Sequence, residues 1–430
     1  MTERHIFGGN GRLSWTPSIE RISRITLAVI VVVLWPRPGG AFDWGLGESH
    51  PGLALRSVRA DPSAKDVAHS GAVGPLGSHY LLLVNTAIAS MITPQKVSEF
   101  DKSPYDGLAV AFWHAYDTGP VIAVSDMDAQ IAVWKKNTKK HIWPWVYINR
   151  MIGPDDSQSY PLIHQPYFNR FKGADLDGRA GAQADFLENW KNSLHAAKDT
   201  GAPGIVCDLE FYNYYKEYDP GELARQTGQT PEQVVRLLRE IGAKMADIAA
   251  IQYPKAMLWF LVTGFTHPGY KTINNQPYYP SPTYVAMGLL DEIEARHFDL
   301  KVLSGGEGSL AYCHRSVQDF QAAIQKRAMD FGPPLQKYQG ILELAGTMTM
   351  WSERSAKKDW TAEGDCAEAS AANADDFEPY LELLFATYRY NWIYPSEASG
   401  GYYALEPDSA LRFNPIINKA KARVLANQLH

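Results

Sequence analysis

The stretch Gly204-Ile205-Val206-Cys207-Asp208-Leu209-Glu210-Phe211-Tyr212 decides how the rest of the chain is organised. Ile205, Val206 and Cys207 form an unbroken apolar run, the pattern of a strand in a parallel sheet covered on both faces. Asp208 and Glu210 follow two apart, so on a continuing strand both carboxyls project to one side. In a closed parallel barrel that side is the interior near the strand's C-terminal end, where such barrels build their sites. Phe211, Tyr212, Tyr214 and Tyr215 come close behind. Two acids beside a wall of rings point to acid–base chemistry. The plainer alternative is an acidic loop whose carboxylates pair with Lys or Arg. A second acid at the end of a distant strand, Glu307, favours the first.

Outward from that stretch, short apolar runs alternate with helical patterns. Strands are expected at 80–86, 105–113, 142–148, 204–210, 257–263, 300–304, 340–347 and 390–394. Thr93-Pro94 opens a helix with a capping threonine and a proline at the first helical position. A helix over 126–136 is expected to be capped by Ser125. Phe186, Trp190, Leu194 and Ala197 mark a helix over about 178–198. Thr230-Pro231-Glu232-Gln233 is a capping box, followed by the stripe Val234, Leu238, Ile241, Met245 and Ile248. Further helices fall at 284–296, around Val317, Phe320 and Ile324, and at 377–387. Residues 267–282, rich in Pro and Tyr, read as a lid or cleft wall, and 352–373 as a polar loop.

Eight strands alternating with helices predict an α/β fold, a (β/α)8 TIM barrel spanning 79–425. An open doubly wound sheet is the alternative, but no G-x-G-x-x-G follows the first strand.

The 430 residues suit a barrel with insertions, and 45% hydrophobic against 20% charged residues is ordinary globular composition. Residues 1–41 read as a signal peptide: Arg21 and Arg24 precede the apolar run 25–35, and Gly39, Gly40 and Ala41 supply a small-residue cleavage site. That run is short of the roughly 20 residues a membrane span needs, so an uncleaved anchor is the lesser alternative. Residues 42–78, rich in Gly, Pro, Ser and Ala, read as a linker or wrapped arm. Removing 1–41, with five basic and two acidic residues, moves the net charge from −6 to −9. The expectation is an exported protein, periplasmic or extracellular, with no nucleic-acid partner and no stable membrane insertion after cleavage. Of three cysteines, Cys207 is expected to be a buried thiol, and Cys313 and Cys366 could pair in an oxidising compartment.

If the barrel closes, strand ends converge on one cleft. They carry Trp113 and His114; Asn149 and Arg150; Asp208, Glu210 and Tyr212; Thr263 and Phe265; Glu307 and Tyr312; and Trp392, Tyr394 and Glu397. Glu307 stands between Gly306 and Gly308, which let backbone and ligand approach closely. Asp106 and Glu343 lie early in their strands and are weaker candidates; Asp106-Gly107 also reads as a turn leading into the strand. Trp392 and Tyr394 have core packing as their alternative.

Pro104-Tyr105-Asp106-Gly107-Leu108, Gly204-x-x-x-Asp208-x-Glu210-x-Tyr212, Gly306-Glu307-x-x-x-x-Tyr312 and Trp392-Ile393-Tyr394-x-x-Glu397 occur in that order. Together they resemble a group of poorly characterised exported bacterial proteins with glycoside-hydrolase-like TIM barrels. The resemblance covers roughly 80–395. It implies a carbohydrate substrate and supports Asp208, Glu210, Glu307 and Tyr312 as site positions. Asp208-x-Glu210 also looks like the end of the chitinase-type signature, which would want a further acid at Val206.

Glycoside hydrolysis needs two carboxyl groups across the scissile bond, about 5 Å apart for retention and roughly 6.5–9.5 Å for inversion. The expected pair is Glu210 and Glu307, with Asp208 adjusting the proton affinity of Glu210. Trp113, Asn149, Tyr212, Tyr312, Trp392, Tyr394 and Glu397 are expected to bind substrate, and no cofactor or metal is expected. The rivals are a carbohydrate-binding barrel without catalysis and a metal-dependent barrel hydrolase. No P-loop, H-E-x-x-H or G-x-S-x-G motif occurs.

Overall fold

The computed structural model describes residues 79–85, 93–111, 121–147, 182–209, 220–221, 224, 228–263, 272–273, 276–277, 279–311, 314, 316–351, 374–396 and 403–428. The expected signal segment, the 42–78 arm, the 352–373 loop, Cys313 and Cys366 lie outside the described residues.

The strands are β1 (Tyr80–Asn85), β2 (Gly107–Ala111), β3 (His141–Tyr147), β4 (Gly204–Asp208), β5 (Met257–Phe260), β6 (Lys301–Ser304), β7 (Leu342–Leu344 and Gly346–Trp351) and β8 (Tyr390–Ser396). Every neighbouring pair among them is parallel. The seventh strand closes the ring. Its first segment pairs with β6, Leu342 opposite Val302, and its second with β8, Gly346 opposite Asn391. Ala345, between the segments, keeps the join by donating its N–H to the Ser304 carbonyl at 2.8 Å. The protein is an α/β (β/α)8 TIM barrel.

Helices alternate with these strands: α1 (Pro94–Lys102), α2 (Val124–Lys135), α3 (Ala182–Thr200), α4 (Pro231–Gln252), α5 (Ser281–Arg296), α6 (Val317–Asp330), α7 (Gly332–Lys337), α8 (Ala374–Thr387) and α9 (Pro407–Gln428). Thr93 caps α1 through its hydroxyl, and the Thr230–Gln233 box forms with both reciprocal bonds. One helix expectation needs correcting. Ser125 is not a cap: α2 begins at Val124 with Ala123 before it, no side-chain cap bond forms, and Asp126 supplies the first-turn acid that suits the helix dipole. Among the strands, β2 begins at Gly107 and not at 105, β4 ends at Asp208 and β5 ends at Phe260, each within the bounds of its apolar run. Within 267–282 the described residues include a small antiparallel ribbon, Thr272–Ile273 against Gln276–Pro277.

Two apolar layers lie outside the sheet, under the helices, and a third fills the barrel interior. Interior positions alternate large and small across neighbouring strands. Gly107, Ala109 and Ala111 on β2 sit in register with His141, Trp143 and Trp145 on β3. A side chain at Gly107 would collide with the Tyr80 hydroxyl, so the glycine leaves room for Trp143 Nε1 to donate to Tyr80 Oη at 2.8 Å. Trp143 meets Trp259 edge to face with centroids 5.7 Å apart, and Trp259 meets Tyr390 in the same way at 6.2 Å. Such pairs add about 0.5–1.5 kcal/mol each beyond the area they bury. The interior is therefore a packed core.

Candidate functional site at the C-terminal rim of the barrel

Parallel strands put all their C-termini at one end of the barrel. Asp208 is the last residue of β4 and only 1% exposed. Val206 belongs to the interior layer, so Asp208, two residues on, faces inward one layer higher. Its register partner is Tyr147 on β3. Cys207 points the other way, into the outer core; burial first, and the charge of Asp208 second, push its thiol well up. Cys207 is thus the inert buried thiol that its place in the strand predicts.

Glu307 opens a π-helical turn, Glu307–Ala311, just beyond β6, and is 5% exposed. Single-turn π segments recur at functional sites. The backbone before it is tightly held: Gly305 donates its N–H to Phe260 O at 2.6 Å, and Glu307 donates its own to Leu261 O at 3.2 Å. Leu261 N–H in turn donates to Cys207 O at 3.0 Å. One residue, Leu261, therefore links the backbone beside Asp208 to that of Glu307. They stand two strand spacings apart, roughly 10 Å between backbones.

Other polar groups gather around this arc. Thr263 Oγ1 and Ser304 Oγ are hydrogen-bonded at 2.9 Å, both buried. Thr347 and Thr349 on β7 share register with Trp392 and Tyr394 on β8, and so face inward with them. The π turn packs against this half of β7. Trp392 is fully buried, and its Nε1 donates across the barrel to Gly305 O at 3.0 Å. An exposed stacking face is therefore not what this ring presents: it is a floor under the Glu307 turn. Tyr394, half-buried, packs on the interior layer above it.

The barrel thus sets Asp208, Glu307, Trp392 and Tyr394 towards its C-terminal end. Glu210, Trp113, Asn149, Tyr212, Tyr312 and Glu397 lie outside the described residues. Asp106 and Glu343 sit at the opposite end. Asp106 accepts from Leu81 N–H and from Lys421 Nζ, each at 2.8 Å, a structural tie into β2. Burial raises the Glu343 carboxyl, with Arg389 and Lys301 opposing.

Arg327 escaped the sequence reading. It is 1% exposed, in α6, and donates to the strand-end carbonyls of Ser304 and Ala345 at 2.6 and 2.7 Å. The available signal was spacing, since Phe320, Ile324 and Arg327 fall on one helical stripe. Among the described residues, no three His, Cys, Asp or Glu side chains gather as metal ligands, and no helix is long and apolar enough to cross a membrane.

No family model matches this chain. No curated protein matches it either. Solved structures similar to it include a family 5 glycoside hydrolase lichenase from Caldicellulosiruptor sp. F32, at 8% identity and TM-score 0.44, over 80% of this chain and 92% of that one. An endo-beta-mannanase/endo-beta-glucanase from Prevotella bryantii is similar at 11% identity and TM-score 0.44, over 80% of this chain and 48% of that one. A sugar phosphate isomerase/epimerase from Parabacteroides distasonis is similar at 11% identity and TM-score 0.35, over 80% and 97%. At these values the likenesses add nothing to the barrel that the strand pairing already establishes.

Proposed function

We propose that the protein is a glycoside hydrolase acting on a polysaccharide or oligosaccharide at the C-terminal rim. The observation that carries this reading is the burial of two acids at one end of a closed barrel, Asp208 on β4 and Glu307 beyond β6, bridged through Leu261. Glu307 serves as one reacting carboxyl. Its partner comes from the Asp208-x-Glu210 pair, with Glu210 reacting and Asp208 adjusting its proton affinity. Two strand spacings set the backbones of Asp208 and Glu307 near 10 Å apart, which is compatible with a carboxyl pair at the separations glycosidases use. Tyr394, with Trp113, Asn149, Tyr212, Tyr312 and Glu397, lines the sugar subsites, while Trp392 supports them from beneath. The reading needs no cofactor. It includes export directed by residues 1–41, which N-terminal sequencing of the mature protein tests: a start near residue 42 is expected.

A screen of polysaccharides with reducing-end detection tests the activity. Wild type should release reducing ends from at least one polymer, and Glu307→Gln and Glu210→Gln should each lose at least about a thousandfold in rate while remaining folded. Near-native turnover by both variants sinks the assignment. Tight binding of a polymer with no turnover in wild type would instead leave a carbohydrate-binding barrel.

A further inference from the structure

We propose that Arg327 is the positioning residue for Glu307, holding the turn that carries this carboxyl at the one place where the barrel wall is interrupted. The guanidinium reaches the rim from α6, on the outer side of the sheet. Nη1 donates to Ala345 O at 2.7 Å, and Nη2 donates to Ser304 O at 2.6 Å and lies 3.3 Å from Ser304 Oγ. Ser304 Oγ continues to Thr263 Oγ1 at 2.9 Å. One side chain thus laces the exits of β5 and β6 to the interior of β7, where Ala345 breaks the seventh strand. Its Cζ lies over the rings of Phe331 and Tyr388, 5.3 Å from each centroid.

The link to Glu307 runs through Gly306. This residue turns with φ +81°, and a Cβ there would lie 2.6 Å from Arg327 Cζ. The guanidinium fills the space that the missing side chain leaves, directly beneath the residue preceding Glu307. With Glu307 N–H bonded to Leu261 O, the turn is fixed from below and from the side. A fully buried cation is costly, and apolar residues of like volume often replace buried ionic groups with no loss of stability. Keeping an arginine here therefore calls for a role beyond filling the seam. The fixed positive charge and the rigid fork together set where the Glu307 carboxyl stands and how readily it holds its proton. The geometric part stands on its own; its consequence for turnover rests on the hydrolase reading.

Two measurements test this without needing a substrate. In Arg327→Lys, which keeps the charge and gives up the fork, amide hydrogen exchange across 305–311 should speed at least about tenfold while β1–β3 stay unchanged. Unchanged exchange in that segment overturns the positioning role. The second is the pH profile of the difference in thermal midpoint between wild type and Glu307→Gln, repeated with Arg327→Met in both. Loss of the cation should move the Glu307 titration upward. A folded Arg327→Met background with an unshifted titration also overturns it. If Arg327→Met fails to fold, Arg327→Lys decides alone. Absence of turnover on every polymer would defeat the hydrolase reading and leave these outcomes unaffected.

Discussion

Trp392 Nε1 and the carbonyl of Gly305 meet at 3.0 Å across the interior, joining the eighth strand to the exit of the sixth. One residue, Gly306, separates Gly305 from Glu307, so the indole underpins the turn that carries the acid. In Trp392→Phe the ring shrinks and the buried Gly305 carbonyl loses this donor. The expected cost is about 1–3 kcal/mol from that unsatisfied acceptor, with a further loss from the smaller ring. Urea unfolding of the pure variant measures it; a change under about 0.5 kcal/mol would show that the bond does not matter.

Two glycines flank Glu307 and should respond in opposite ways to the same methyl group. Gly306 has positive φ and abuts the Arg327 guanidinium, whereas a Cβ at Gly308 meets nothing within 4 Å. Gly306→Ala should destabilise by about 1–3 kcal/mol. Gly308→Ala should stay within about 0.5 kcal/mol of wild type. Paired thermal melts compare them directly, and equal effects would contradict the packing described.

Lys140 offers a pH test at the other end of the barrel. Its Nζ donates to Phe100 O and Ser103 O, both at 2.7 Å, and burial pulls the ammonium down to about 8 against the opposing influence of Asp101 and Asp106. The unfolded chain holds this proton to the ordinary 10.5. Between those values the unfolded state binds more protons, so the contribution of Lys140 to stability rises with pH. Below pH 8 the buried charge is a constant cost. The wild-type midpoint should gain on that of Lys140→Met as pH climbs from 8 towards 10. Parallel curves across that window would rule the shift out.

Thr230 and Gln233 exchange reciprocal bonds at the start of α4: Thr230 N–H donates to Gln233 Oε1 at 2.8 Å, and Gln233 N–H to Thr230 Oγ1 at 3.3 Å. Thr230→Ala should cost about 0.5–2 kcal/mol. Circular dichroism melts at neutral pH suffice to check it.

The eight strands were legible because each is a short apolar run bounded by turn residues, and their order followed from right-handed crossovers. The break at Ala345 was not. Residues 340–347 read as one continuous run, and only the pairing of Leu342 with Val302 and Gly346 with Asn391 divides it. Helix α9 was missed although Ala410, Phe413, Ile417, Ala420 and Val424 are buried at three- and four-residue spacing; Pro415 lies inside it and masks the pattern. In the site, Glu307 could be found as an acid between glycines after a strand. Arg327 could not be found by charge, since a helical arginine ordinarily faces water. Its burial follows from the crossing of α6 over a strand junction, a relationship that exists only in three dimensions.

The indoles that plug the interior have a consequence for traffic. Trp143, Trp259 and Trp392 are fully buried and fill the bore of the barrel. Among the described residues, a molecule reaching Asp208 and Glu307 comes by the mouth formed where the staves end. On the hydrolase reading, whatever is made there backs out the way its precursor came in, so departure and arrival compete for the same threshold.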